Sequence, residues 1–227
     1  MFEILFLDLD DTILDFKKAE YIAIGRTFEA MGLQPTDEIR HRYHAINQAH
    51  WKMLERGELT REQVLVQRFE RLFEEFGIEV DGVKVARTYE KFLGEGHWFL
   101  PGAEEAVMAL SKKYRLFLAS NGTASVQKGR MTSANLYRWF EQVFVSQEIG
   151  YNKPSKDYFE GCFARIPDFD REKCLMVGDS LTSDILGGIN AGIKTCWVNP
   201  GHGESGEIRP DYEIEALADL PELLERL

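Results

Sequence analysis

The chain opens with a short apolar run that leads directly into a group of acidic residues. The run "ILFL" spans residues 4–7, and Asp8, Asp10 and Asp11 follow almost at once. A continuous apolar run of this length is typical of a strand that is buried on both faces of a sheet. Carboxylates at the exit of a buried strand repel one another and resist the loss of water. We therefore expect a bound cation and a chemical role to offset this cost.

Composition limits the classes of protein to which the chain can belong. It has 227 residues, 44% of them hydrophobic, which is enough for one domain with an insertion or for two unequal domains. Its formal net charge is −11 and its basic residues form no cluster. This argues against nucleic acid and against an anionic membrane surface as partners. A small anionic substrate remains compatible with an acidic chain, because a local pocket can be positive.

Cellular location is predicted from what the sequence lacks. No stretch approaches the ~20 apolar residues of a membrane span, and the N-terminus has no signal-peptide pattern. Three cysteines, Cys162, Cys174 and Cys196, lie far apart in apolar surroundings without a paired CxxC spacing. We expect free thiols, with neither a zinc site nor a disulfide framework. The predicted location is the cytoplasm.

Apolar strand candidates recur along the chain and predict the fold class. After "EILFLDLD" they are "YRLFLASN", "QVFVSQ", "CLMVGDS" and "KTCWVNP". Helices are predicted at 103–113, at 155–165 and at about 183–191, the last of them closed by Gly192. Strands that alternate with helices predict an α/β fold with a parallel sheet covered on both faces.

The alternation is interrupted once, and the interruption predicts an insertion. Residues 16–96 show helical periodicity and no convincing strand. Within them "TREQ" has the form of a capping box for a helix that ends near Gly77, and Asp81 can cap another that ends near Gly94.

The chain is therefore predicted to contain two domains. Residues 1–15 and 97–227 would form the sheet domain, and residues 16–96 would form the helical one. Ligands of open α/β sheets bind at the carboxyl ends of the strands. A module inserted directly after the first strand would hang over such a ligand.

Polar side chains follow two of the predicted strands in the first half of the sheet. Asp8 and Asp10 are two residues apart, so at a strand end they point to the same side and could approach one ligand. Taken alone, the "DLDD" stretch would equally suit acidic caps at a helix N-terminus. Ser120 and Asn121 precede a helix, an arrangement that suits a phosphate but is also common in turns.

Two further stretches carry charge near the end of the chain. Lys153 stands just before a proline that begins a helix, and alone it would be a solvated loop charge. Asp179 follows a strand and Gly178, and Asp184 lies five residues further on. Asp179 could also cap the next helix. The strand exits would nevertheless converge on one edge of a parallel sheet.

In this order, the four stretches resemble the haloacid dehalogenase-like hydrolase superfamily over the whole chain. The "DLDDT" of residues 8–12 resembles the first motif, "SN" at 120–121 the second, and Lys153 the third. Gly178-Asp179 with Asp184 resembles the fourth. The resemblance implies a Rossmann-like parallel-sheet core with an inserted helical cap of type 1, residues 16–96.

The resemblance also implies a magnesium site. Mg²⁺ would be held by Asp8, by the backbone carbonyl of Asp10 and by Asp179, with Asp184 acting directly or through water. Hard oxygen ligands of this kind are those that Mg²⁺ prefers. The cation would offset the repulsion among the carboxylates.

The implied reaction is hydrolysis of a phosphomonoester through an aspartyl-phosphate. Asp8 would be the nucleophile, and Asp10 would protonate the leaving alkoxide and then deprotonate the hydrolytic water. Ser120, Asn121 and Lys153 would bind the phosphoryl oxygens. The expected partner is a small phosphorylated metabolite.

Other activities of the superfamily are less compatible with the motifs. Its dehalogenases use the same nucleophile without needing Mg²⁺ or a proton donor two residues later, so Asp10, Asp179 and Asp184 favour phosphoryl chemistry. A mutase would retain every motif. A regulatory module without activity would be expected to have lost a motif aspartate, and none is missing.

Two longer stretches resemble the pyrimidine 5′-nucleotidase subgroup of the superfamily. They are "GDSLTSDILGGINAGIKTCWVN" and, in the helical module, "YHAINQAHWKMLERGELT". The expected substrate is a non-canonical pyrimidine nucleoside monophosphate; the alternative is phosphoglycolate, a sugar phosphate or an acylneuraminate 9-phosphate. Asn47, Trp51 and Arg68 could line a base pocket, although Trp51 would also suit a core and Arg68 a surface. Gly187 and Gly188 are explained by close helix–strand packing.

Overall fold

A computed structural model describes all residues, 1–227. The chain divides into two compact units: Met1–Asp15 with His97–Leu227, called here the core unit, and Phe16–Gly96, called the helical unit. No helix in either unit is both long enough and apolar enough to cross a bilayer.

The core unit is built on a six-stranded sheet with the strand order β3-β2-β1-β4-β5-β6. Every neighbouring pair of strands is parallel, which confirms the predicted α/β fold. The five strands predicted from apolar runs all form. The strands are β1 (Ile4–Leu7), β2 (Arg115–Ser120), β3 (Gln142–Val145), β4 (Cys174–Gly178), β5 (Lys194–Val198) and β6 (Tyr212–Ile214).

Strand β1 lies between β2 and β4 and is buried on both faces. Leu5 and Leu7 belong to one hydrophobic cluster, whereas Ile4 and Phe6 belong to another. Successive side chains of a strand point to opposite faces, so a strand with two covered faces needs apolar residues throughout. Leu7 pairs with Leu118 of β2, and the strand ends nearby therefore meet at one edge.

The helical unit contains four helices and no strand, as the periodicity predicted. Thr60 and Gln63 form the predicted capping box, Gly77 ends its helix in the left-handed region at φ 60°, and Asp81 caps the next helix. The helices are α1 (Phe16–Ala30), α2 (Asp37–Glu55), α3 (Arg61–Phe76) and α4 (Gly82–Leu93).

The remaining helices belong to the core unit, where the last of them follows the final strand and the others lie between strands in the chain. The region predicted as one helix at about 183–191 begins as a π-helical turn, Leu181–Ile185, before it becomes an α-helix. The helices are α5 (Ala103–Leu110), α6 (Ala124–Ser133), α7 (Ser146–Ile149), α8 (Lys156–Phe163), α9 (Leu186–Ala191) and α10 (Leu220–Arg226).

The glycines of α9 bring it close to its neighbours. A Cβ atom on Gly188 would lie 2.5 Å from Cγ2 of Thr195 in β5, and one on Gly187 would lie 2.7 Å from the ring of Phe159 in α8. These contacts confirm helix–strand packing for Gly188, whereas Gly187 packs closely against a helix instead of a strand. Gly192 ends α9 with φ 69°.

Candidate active site

A buried ammonium group lies at the centre of the carboxyl edge of the sheet. The Nζ atom of Lys153 donates hydrogen bonds to Oδ1 of Asp8 at 2.7 Å, to Oδ1 of Asp184 at 2.6 Å and to the carbonyl of Ala119 at 2.6 Å. Lys153 is 1% exposed and Asp8 is 6% exposed. The interpretation of Lys153 as a solvated loop charge is therefore wrong.

Burial controls the electrostatics of this cluster. Burial raises the pKa of Asp8 to about 8; the Lys153 ammonium opposes this shift, and the Asp184 carboxylate adds to it. Burial raises the pKa of Asp179 well above its usual value, with Asp184 and Asp8 adding to the shift. Burial alone would lower the pKa of Lys153, but Asp184 and Asp8 raise it overall. The site is thus short of positive charge.

Three carboxylates at this edge have the arrangement of a cation site. Oxygen atoms of Asp8, Asp179 and Asp184 all lie within 4.8 Å of one another. When all three are ionised, three negative charges face the single positive charge of Lys153. A divalent cation would balance the difference, and the oxygen donors are the type that Mg²⁺ binds. The residues therefore fit Mg²⁺.

The backbone after β4 is shaped to bring two of these carboxylates together. A Cβ atom on Gly178 would lie 2.2 Å from Oδ2 of Asp184, so a glycine is needed there. The backbone N–H of Asp179 donates to Oγ1 of Thr12 at 3.1 Å, and its carbonyl accepts from the indole of Trp197 at 2.8 Å. The alternative role of Asp179 as a helix cap falls instead to Ser180, whose side chain accepts from the backbone N–H of Ser183.

Asn121, immediately after β2, holds the chain around Lys153. Its Oδ1 accepts from the backbone N–H of Lys153 at 2.8 Å. Its Nδ2 donates to the Lys153 carbonyl at 2.9 Å and to Oγ of Ser183 at 3.2 Å. Asn121, predicted to bind phosphate, thus fixes the backbone of Lys153.

Two residues of α6 contact Asp10, and the sequence did not predict either of them as part of the site. Nε2 of Gln127 donates to Oδ2 of Asp10 at 2.6 Å and to Oγ of Ser120 at 2.8 Å. Nη1 of Arg130 donates to Oδ1 of Asp10. Gln127 is 1% exposed and Arg130 is fully buried. The sequence signal was their three-residue spacing on the helix that follows the Ser120-Asn121 turn.

In the helical unit, two of the three predicted base-contacting residues, Asn47 and Arg68, take part in an internal hydrogen-bond network. Nδ2 of Asn47 donates to Oε1 of Glu20 at 2.6 Å, and Nη1 of Arg68 donates to Oδ1 of Asn47 at 2.8 Å. Arg68 is 2% exposed, so its interpretation as a surface charge is wrong. Trp51 is half-buried, with the Arg61 guanidinium 5.6 Å from its ring centre. The geometry favours a structural role for Asn47 and Arg68.

A sequence model described as haloacid dehalogenase-like hydrolase matches residues 2–192. The chain belongs to this family of hydrolases. It is 41% identical to the HAD-hydrolase YfnB of Bacillus subtilis, over 97% of this chain and 94% of that protein. It is 37% identical to the pyrimidine 5′-nucleotidase PynA of Streptococcus pneumoniae, over 99% of this chain and 96% of PynA.

A solved structure of a relative has the same fold. The crystal structure of Bacillus subtilis YfnB bound to magnesium has 40% sequence identity and a TM-score of 0.93. The match covers 99% of each chain.

Proposed function

We propose that this hydrolase is a Mg²⁺-dependent phosphomonoesterase that acts on pyrimidine nucleoside 5′-monophosphates. The observation that carries the proposal is the buried cluster of Asp8, Lys153, Asp179 and Asp184, with Asp10 two residues after Asp8. A buried nucleophile beside a fixed ammonium and a cation site suits attack on a phosphate dianion.

The first half of the reaction transfers the phosphoryl group to the protein. A carboxylate oxygen of Asp8 forms a bond to phosphorus as the bond from phosphorus to the leaving oxygen breaks. Asp10 donates a proton to that leaving oxygen. Ser120 binds a phosphoryl oxygen, Lys153 supplies positive charge beside Asp8, and Asn121 keeps the Lys153 backbone in place.

The second half releases inorganic phosphate. Water forms a bond to phosphorus, the bond between phosphorus and Asp8 breaks, and Asp10 accepts the proton of the water. Asp8, the Asp10 carbonyl, Asp179 and Asp184 would hold Mg²⁺. When bound, Mg²⁺ supplies positive charge that lets an anionic nucleophile meet an anionic substrate.

The proposed substrate class is supported by a relative, and the proposed phosphate chemistry is assigned to residues of the core unit. A pyrimidine 5′-nucleotidase matches almost the whole chain at 37% identity. Every residue that we assign to phosphate lies in the core unit. The core unit therefore carries all of the proposed phosphoryl chemistry, and the proposed choice of leaving group rests on this relative.

A substrate panel tests the proposal. Phosphate release is measured from UMP, dUMP, dTMP, AMP, phosphoglycolate, sugar phosphates and p-nitrophenyl phosphate, with Mg²⁺ and with EDTA. We expect the pyrimidine monophosphates to have the highest kcat/KM, and EDTA to abolish turnover. Equal or better hydrolysis of phosphoglycolate or sugar phosphates would contradict the nucleotidase assignment. Absence of phosphate release from every ester would contradict the phosphatase assignment.

A further inference from the structure

Both carboxylate oxygens of Asp10 are held by side chains of one helix. Arg130 donates to Oδ1 and Gln127 to Oδ2, the latter at 2.6 Å. Gln127 and Arg130 are three residues apart, so they lie on the same face of α6. Together they fix the plane of the Asp10 carboxylate.

The burial of Arg130 is informative because its partner is not buried to the same degree. The side chain of Arg130 is 0% exposed, whereas that of Asp10 is 27% exposed. Removing a guanidinium from water is costly, and an ion pair built for stability alone gains little at a partly hydrated carboxylate. The contact is better explained by its effect on the orientation of the Asp10 carboxylate.

The turn before α6 leaves room for the side chain of Gln127 because residue 122 is a glycine. A Cβ atom on Gly122 would lie 2.2 Å from Nε2 of Gln127. The same Nε2 atom donates hydrogen bonds to Oδ2 of Asp10 and to Oγ of Ser120, the latter at 2.8 Å. Gln127 thus couples the orientation of Asp10 to the phosphate-binding turn.

We propose that Arg130, assisted by Gln127, is a positioning residue that orients Asp10 for the hydrolysis of the aspartyl-phosphate. The proposal rests on the proposed function. In this step the water oxygen bonds to phosphorus, the bond from phosphorus to the Asp8 oxygen breaks, and the water proton passes to Asp10. Each carboxylate oxygen has two lone pairs, so the bond from α6 leaves one to receive that proton.

p-Nitrophenyl phosphate separates the two halves of the reaction, because its leaving group departs without a proton donor. Its kcat/KM reports phosphoryl transfer to Asp8, and its kcat reports hydrolysis of the intermediate when that step is slow. For Arg130→Met we expect kcat to fall about tenfold or more, the usual effect of a displaced catalytic group. We expect kcat/KM to change by less than about threefold, so KM falls with kcat. A burst of p-nitrophenolate should precede the steady state.

Arg130→Lys keeps a cation and should recover part of the lost kcat. Arg171→Met is the control for removing an arginine that binds a carboxylate away from the site, because Arg171 lies in the same unit, 2.8 Å from Oε1 of Glu160, and its side chain is 39% exposed. The control should retain the wild-type kcat and show no burst. If Arg130→Met fails to fold, Gln127→Met removes the other bond to Asp10 and should likewise produce a burst.

A double variant shows whether Arg130 acts through Asp10. Adding Arg130→Met to Asp10→Asn should change kcat by less than about twofold, because the group being oriented is already disabled. Equal losses in kcat and kcat/KM without a burst, or additive losses in the double variant, would overturn the proposal alone. Absence of phosphate release by the wild type would overturn the proposed function and this proposal with it.

Discussion

At the residue scale, the proposed chemistry depends most on Lys153. Its ammonium is buried and is held by two carboxylates and one carbonyl, at 2.6–2.7 Å. Such a group costs free energy to bury, and the carboxylates of Asp8 and Asp184 offset that cost. A preorganised charge at this position would stabilise the transition state without further rearrangement.

Lys153→Met should therefore raise the barrier for phosphate release by ~3–4 kcal/mol, the range for losing one preorganised electrostatic partner. Lys153→Arg should restore only part of the activity, because a planar guanidinium cannot replace a compact ammonium among three closely placed acceptors. The measurement is kcat/KM for each variant, with a thermal melt to show that the protein is folded. A folded Met variant with wild-type kcat/KM would remove Lys153 from the proposed site.

Residue-scale features were unequally predictable from the sequence. The grouping of Asp8, Asp179 and Asp184 followed from their positions after parallel strands that end at one edge. The burial of Lys153 could not be predicted, because its partners come from segments that are distant in sequence. The contacts of Gln127 and Arg130 depend on which face α6 turns towards Asp10, and their spacing alone does not determine that face.

At the element scale, strand positions were the most predictable feature and local helix geometry the least. The five apolar runs all became strands, whereas β6 is three residues long and lacks such a run. The π-helical turn Leu181–Ile185 was missed because it depends on the bonds of Ser180 and Asp184. This turn carries Asp184 to Lys153, so it contributes directly to the candidate site.

Two glycines near this turn provide a matched pair of variants. Gly178→Ala should lower kcat about tenfold or more, because its Cβ would displace Asp184 from 2.2 Å away. Gly188→Ala should instead cost about 1–3 kcal/mol of stability by overpacking against Thr195, with kcat unchanged in the folded protein. Thermal melts and kcat measured on both variants distinguish the two effects. Equal kcat in both variants would contradict the need for glycine at position 178.

At the scale of the whole molecule, an acidic chain is proposed to bind an anionic substrate. The net charge is −11, so attraction of a phosphate must come from local positive charge at the site. Lys153 supplies one positive charge among three carboxylates. The proposed divalent cation would neutralise the remaining excess of negative charge at the site.

Cation binding should therefore be visible in the stability of the folded protein. A ligand that binds only the folded state stabilises it by about 2.7 kcal/mol at a hundredfold excess over its Kd. We expect Mg²⁺ to raise the Tm of the wild type, and to raise that of Asp179→Ala by much less. EDTA should reverse the shift. Identical melting curves with Mg²⁺ and with EDTA would show that the three carboxylates do not form the cation site.

The central claim is that Asp8 is the nucleophile, and replacing one oxygen of its side chain tests it most directly. Asp8→Asn is nearly isosteric, but the amide is a poor nucleophile, so the folded variant should lose turnover. Phosphate release by the wild type and by Asp8→Asn is measured with p-nitrophenyl phosphate and UMP in the presence of Mg²⁺. If Asp8 is the nucleophile, we expect rapid release by the wild type and none above background by the variant. Release at the wild-type rate by a folded Asp8→Asn protein would contradict this assignment.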